Sequence, residues 1–171
     1  MSEAPAEPVN DGTAAAGRSD SGAVTDGAAA EGKSDIRTAH PDILVAAVAL
    51  IRERRVLMVT ARGRDVWFMP GGKIDPGETE ADAAAREAWE EVAVRVDPVA
   101  LVPLFTVLIQ AHGEPDGRLV RMAVFGAETA DDPAASAEVS AVHWASSADE
   151  GRCPPAGVEV LRRLHAADLI D

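Results

Sequence analysis

Residues 43–51 (ILVAAVALI) form an unbroken apolar run of strand length, and residues 56–60 (VLMVT) form a second one after the charged turn Arg52 to Arg55. Two such runs joined by a short polar turn predict a β-hairpin. A further short strand is expected over 66–69, ended by Pro70 and the Gly71–Gly72 pair. Residues 101–110 and 119–128 read as two more strands, separated by the turn-forming segment 112–117 (HGEPDG). Residues 139–145 alternate Val139, Ala141 and His143 against Ser140, Val142 and Trp144, the period of another strand. Val158, Leu161, Leu164 and His165 recur at helical spacing and predict an amphipathic C-terminal helix over 155–167.

The central helix is marked at its start. Thr79 suits the N-cap, and Asp82 three residues on supplies the reciprocal carboxylate of a capping box. Ala81, Ala84, Ala85, Ala88 and Val92 make one apolar stripe, whose small side chains let the helix sit close against a sheet. Glu87, Glu90 and Glu91 stand at i, i+3 and i+4, so their carboxylates share the other face.

Residues 1 to about 40 break with this pattern. Ala, Gly, Ser, Thr, Asp and Glu dominate, no aromatic residue occurs, and Ile36 is the first Ile or Leu. Such a segment buries too little apolar surface to offset its ordering entropy and is expected to be a disordered tail. The folded domain is expected over 41–171. Across all 171 residues, 47% are apolar and 26% charged, ordinary for one soluble globular domain. No apolar stretch approaches the roughly 18 residues of a membrane span, and no basic patch leads into an apolar run as in a secretion signal. Cys153 is the only cysteine, which excludes an internal disulfide and a cysteine-rich metal site. A reducing cytoplasm is the simplest location.

Acidic residues outnumber basic ones 29 to 16, a formal net charge of −13. That field repels nucleic-acid backbones, and the densest basic cluster, Arg52, Arg54 and Arg55 beside Glu53, reads as a solvated turn. Polymeric DNA or RNA is not an expected partner. A small anionic ligand is, because a bound metal reverses the local sign.

Three carboxylates on one helical turn repel one another, so a protein keeps them on a solvated face or around a cation. Gly71, Gly72, Pro76 and Gly77 favour the cation, since this loop can turn tightly and bring backbone close to a ligand. Hard oxygen donors, without thiol or His in the segment, point to Mg2+ or Mn2+.

In order, the segment runs Gly72, five residues, Glu78, seven residues, then Arg86-Glu87-Ala88-Trp89-Glu90-Glu91-Val92-Ala93-Val94. It resembles the Nudix box, G-x5-E-x7-R-E-U-x-E-E-x-G-U with U aliphatic. The one departure is Ala93, where the family has a glycine. A glycine there takes the left-handed conformation that ends a helix, so Ala93 implies a strained exit or a helix one residue longer. The likeness extends over about 42–170. It implies an α/β (α+β) fold of the Nudix type, an α/β/α sandwich with a mixed sheet between helices.

The resemblance further implies a hydrolase that cuts a diphosphate linkage in a small nucleotide-like substrate, a nucleoside di- or triphosphate or a nucleoside-diphosphate derivative, with nucleotide-pool sanitation as one role. Glu87, Glu90 and Glu91 would ligate Mg2+ or Mn2+, with the backbone carbonyl of Gly72. The general base stays open among Glu87, Glu90, Glu91 and Glu138. Glu138 is also a candidate metal ligand, and an ordinary solvated loop glutamate reads equally well. Arg86 and Glu78 are expected to brace the loop against the helix as a charge-assisted pair. Arg62, Arg64 and Lys73 flank the expected cleft as phosphate-binding candidates, and 62–66 and 112–117 are the expected specificity loops. Phe68, Phe105, Phe125 and Trp144 read as core, and His112 and His143 as structural. Many relatives are dimers, which leaves a homodimer open. The alternative is a catalytically silent Nudix-fold module that senses a nucleotide metabolite; such modules usually lose acidic box positions, and none is lost here. A prenyl-diphosphate isomerase on the same fold would need a cysteine in the core strands, and Cys153 lies too late.

Overall fold

The fold comes from a computed structural model that describes residues 42–171; the expected tail lies outside the described residues. Six strands and two α-helices follow one another as β1 (Ile43–Arg52), β2 (Arg55–Ala61), β3 (Gly71–Lys73), α1 (Glu80–Val92), β4 (Val102–Gln110), β5 (Leu119–Ala127), β6 (Val139–Ala145) and α2 (Pro155–Ala166). Short 3-10 turns at Pro98–Ala100 and Ser147–Arg152 lead into β4 and α2. The sheet order is β4-β5-β1-β2-β6, with β3 added to β1. β1 and β5 run parallel and all other pairs antiparallel, so the sheet is mixed as expected.

The unbroken apolar run of β1 has a direct cause. Ala46, Val48 and Leu50 face α1 and pack with Ala83, Ala84, Ala88 and Val92. Ala47 and Ala49 face the other way, into a second core with Val160, Leu161 and Leu164 of α2. A strand covered on both faces has no polar side to alternate with. On α1 the buried set includes Ala83, outside the expected stripe, while Ala81 and Ala85 are only partly covered. On α2 the buried face is Gly157, Val160, Leu161 and Leu164. Val158 lies at its margin and His165 is exposed, its Nδ1 3.2 Å from the Ile170 carbonyl.

The expected hairpin forms only beside its turn. Ile51 pairs with Val56 and Arg52 with Arg55, across Glu53 (φ 49°) and Arg54 (φ 57°). Two positive φ angles match the twist of the flanking strands. Arg54 is held there by Asp168 and Asp171 and Arg52 by Asp132, while Arg55 donates to the Trp144 carbonyl at 3.4 Å.

Beyond the turn β1 and β2 part, and residues 68–73 wedge between them. Phe68 exchanges two 2.8 Å backbone bonds with Val59 of β2, and Val48 of β1 donates to the Pro70 carbonyl at 2.9 Å. β3 then pairs with β1 at Val45–Lys73, Ala46–Gly72 and Ala47–Gly71. The strand expected over 66–69 is therefore a single bridge at Phe68, and the true strand begins at Gly71. Pro70, with no N–H to give, sits where the chain changes partner. Gly71 has φ 155°, and a Cβ there would stand 2.4 Å from the Ala46 carbonyl oxygen. Only glycine lets the wedge lie this close to β1.

Candidate active site

The wedge delivers its backbone to one side of α1. Thr79 caps the helix, its Oγ1 accepting the Asp82 N–H at 3.1 Å. The Asp82 carboxylate accepts the Thr79 hydroxyl at 2.6 Å. The helix ends on Ala93 with φ 56° and ψ 28°, so the family's missing glycine shows as a left-handed alanine, the strained exit of the two expected outcomes. The β5–β6 loop covers the freed carbonyls: Ser136 N–H donates to the Glu91 carbonyl (2.9 Å) and Ala134 N–H to that of Val92 (3.0 Å). Orphan carbonyls at a helix end need such partners.

Between these ends the carboxylates are organised by Arg86. Its Nε and Nη2 grip both oxygens of Glu78 at 2.9 and 3.0 Å, and Nη2 also donates to the Lys73 carbonyl at 3.1 Å. Its Nη1 reaches Glu87 at 2.7 Å and Glu90 at 3.3 Å. Glu78 is also bonded by the Asp75 N–H at 3.1 Å. The Arg86 side chain, then this N–H, hold the Glu78 carboxyl below its usual pKa, and Glu78 and Glu87 raise that of Arg86. One planar fork thus ties the loop to the helix and orders Glu87 and Glu90, two of the three carboxylates on the helix face.

Glu91 differs from its neighbours. Its Oε2 accepts the Gly71 N–H at 2.9 Å, yet burial pushes its pKa up to about 7, helped by the charges of Glu87, Glu138 and Glu90. Glu91, Gly71 and Gly72 line a cavity of about 360 Å3. Its apolar wall comes from β1, β2 and β5, including Val45, Val59 and Met122, and from Phe68.

Arg64 and Lys73 line that cavity with His112 and Glu114 of the 112–117 turn. His112, expected to be structural, is a lining residue, and Glu114 is another whose only signal in the sequence is its place in the 112–117 turn. Phe125 is core as expected, whereas Phe105 and Trp144 are partly buried and Phe68 edges the cavity against His112 at 6.3 Å. His143 stacks on Trp67 at 4.2 Å and meets Thr60 Oγ1 at 2.9 Å. Arg62 does not line the cavity; its Nε donates to the Ala137 carbonyl at 3.0 Å, next to Glu138. Cys153 is half-buried and its thiol is pushed up to about 11, which leaves it protonated and inert.

Among the described residues no three acidic, His or Cys side chains converge as a ready cage, because Glu87 and Glu90 lean on Arg86. The donor set nevertheless fits a hard divalent cation. Burial, and after it the charges of Glu87, Glu138 and Glu90, raise Glu91, and a Cβ on Gly72 would fall 2.2 Å from Glu87 Oε1, so backbone and carboxylate are in contact.

Comparison with known proteins bears on this arrangement. The NUDIX domain family model matches residues 41–164. A MutT-like protein of Streptomyces ambofaciens is 28% identical over 132 residues, 74% of this chain and 77% of that protein. The 8-oxo-dGDP phosphatase NUDT18 of Mus musculus is 37% identical over 62 residues, which span 34% of this chain and 19% of that protein. Among solved structures, the E. coli ORF135 protein superposes with TM-score 0.60 at 22% identity, over 74% of this chain and 90% of that one. A MutT protein from Methanosarcina mazei Go1 gives TM-score 0.58 at 23% identity, over 75% and 96%. The structures share the fold, and the family match carries the assignment: this chain, with its box on a loop braced to a helix beside a split sheet, belongs to the Nudix hydrolase family.

Proposed function

We propose that the protein is a metal-dependent pyrophosphohydrolase that cleaves a diphosphate linkage in a nucleoside di- or triphosphate or a nucleoside-diphosphate derivative. The observation that carries this reading is the part-buried Glu91 carboxylate, fixed by Gly71 at the edge of the 360 Å3 cavity and flanked by Glu87, Glu90 and Glu138. Glu87, Glu90 and Glu91, with the Gly72 carbonyl and Glu138, would hold Mg2+ or Mn2+. When bound, the cation supplies neutralisation of phosphate charge and a more acidic water.

The chain's own residues do the rest. Arg86 holds Glu87 and Glu90 on the face of α1 that carries Glu91, in reach of a cation that would draw them from the guanidinium. Lys73 and Arg64 at the cavity rim counter the protein's negative field for an incoming phosphate. The apolar wall takes the nucleoside end and excludes bulk water. A carboxylate among Glu87, Glu90, Glu91 and Glu138 takes the proton of the attacking water. Oxidised guanine nucleotides enter the substrate panel because of the name carried by the mouse relative.

The test is release of phosphate or pyrophosphate from a panel of nucleotides and nucleotide sugars with Mg2+ or Mn2+, wild type beside Glu90→Gln and Glu91→Gln. Metal-dependent turnover that collapses in both variants is expected. Turnover indifferent to both would remove the carboxylates from the site. Tight binding of one compound without turnover would make the protein a sensing module.

A further inference from the structure

We propose that Arg62 is a positioning residue for Glu138, and not a ligand of substrate phosphate; this rests on the metal-hydrolase reading above. Three observations meet at the turn into β6. The β2–β6 register slips there, with Thr60 opposite Ala141 and Ala61 opposite Val139, so that Ser140 is an extra residue. Ala137 is forced to φ 47°, a left-handed conformation that an alanine adopts only when its surroundings impose it. Arg62 bonds both adjacent carbonyls, its N–H giving to that of Glu138 at 2.7 Å and its Nε to that of Ala137 at 3.0 Å.

A bulge beside a strained residue re-aims the side chain that follows, and such features gather next to active sites. Glu138 lies between the strained Ala137 and the bulged Ser140, so it is the acidic residue whose direction this turn sets. Two residues earlier, Ser136 N–H is bonded to the carbonyl of Glu91 itself, which registers the turn against the box helix. The loop is tethered a second time farther out, where Arg52 binds Asp132 at 3.0 Å and the Asp131 carbonyl at 3.1 Å. That outer tether fixes the loop's course, and Arg62 fixes its last peptide. With its Nε committed to the Ala137 carbonyl and its side chain outside the cavity lining, Arg62 acts on the site through Glu138.

Mn2+ affinity of the substrate-free full chain tests this, measured for wild type, Arg62→Ala, Arg62→Lys, Glu138→Gln and the Arg62→Ala/Glu138→Gln double variant. Removing a partner that orients a metal ligand weakens affinity by roughly 10- to 100-fold. Arg62→Ala is expected to weaken Mn2+ binding by about tenfold, Glu138→Gln by at least as much, and the double variant no more than Glu138→Gln alone. Arg62→Lys, which keeps a donor on the stem, is expected to recover part of the loss and covers the case in which the alanine variant does not fold. In turnover, Arg62→Ala should lower kcat and leave KM nearly unchanged. Multiplicative losses in the double variant, or a raised KM with unchanged Mn2+ affinity, would overturn the proposal and leave the hydrolase reading standing. A wild type that binds no Mn2+ would overturn both.

Discussion

A methyl group on residue 72 would stand 2.2 Å from the Glu87 carboxylate oxygen. The far end of a flexible side chain gives way more readily than backbone, so Gly72→Ala is expected to keep its melting temperature within a few degrees. Displacing a carboxylate by an ångström costs on the order of 100-fold in rate, and turnover beside thermal unfolding would show that split. Ala93 offers the opposite case. Relieving its left-handed strain through Ala93→Gly is expected to add about 1 kcal/mol, seen as a higher urea midpoint at unchanged slope and unchanged turnover. Glu91 governs pH dependence. Its folded pKa of about 7 lies above the ordinary 4.5, so the folded protein keeps a proton that the unfolded chain releases. That stabilisation is complete below about pH 4.5 and is lost as pH rises through 7. Without divalent metal, unfolding free energy should fall by at most roughly 3 kcal/mol between pH 5 and 8 from this group. Glu91→Gln should flatten the slope. At this scale the sequence was informative where spacing alone placed the side chains, as for Glu87, Glu90 and Glu91 on one helical face. It was silent on Glu91's burial, which depends on a segment 20 residues earlier folding over it.

Among elements, α1 and its loop act as one piece because Arg86 touches Glu78, Glu87, Glu90 and the Lys73 carbonyl. An ammonium cannot reproduce that fork, so Arg86→Lys is expected to lose most activity and to lower the melting temperature measurably. Leu161, fully buried on α2, belongs to the opposite core. Leu161→Ala should cost about 2–5 kcal/mol in a urea titration while leaving Mn2+ affinity unchanged. The central helix was legible from period and cap, the C-terminal helix from period alone, and five strands from apolar runs or alternation. What misled was the stretch from Val66 to Met69, whose local pattern is that of a strand although its surroundings permit only one bridge. The strand at Gly71–Lys73 carries no apolar signal, because its pairing exists to bring backbone to the helix.

For the whole molecule, the two cores and the net charge of −13 set the terms. Screening that self-repulsion should stabilise the metal-free protein, so its melting temperature is expected to rise between low and 0.5 M salt, over roughly the range in which the Debye length falls from 30 to a few ångströms. Sheet order was the least legible property, since no short-range pattern reports that β1 accepts β5 in parallel. That pairing joins Ile43 to Val120 and Leu50 to Ala127. A nascent chain leaving the ribosome therefore presents the molecule's most apolar strand long before its principal partner exists. At usual elongation rates the delay is roughly 4 to 15 seconds, time enough for a chaperone or another nascent chain to find it. Fragments ending before Leu119 should accordingly aggregate or remain chaperone-bound, and recoverable yield should depend on how quickly synthesis crosses the 101–118 stretch more than on the stability of the finished fold.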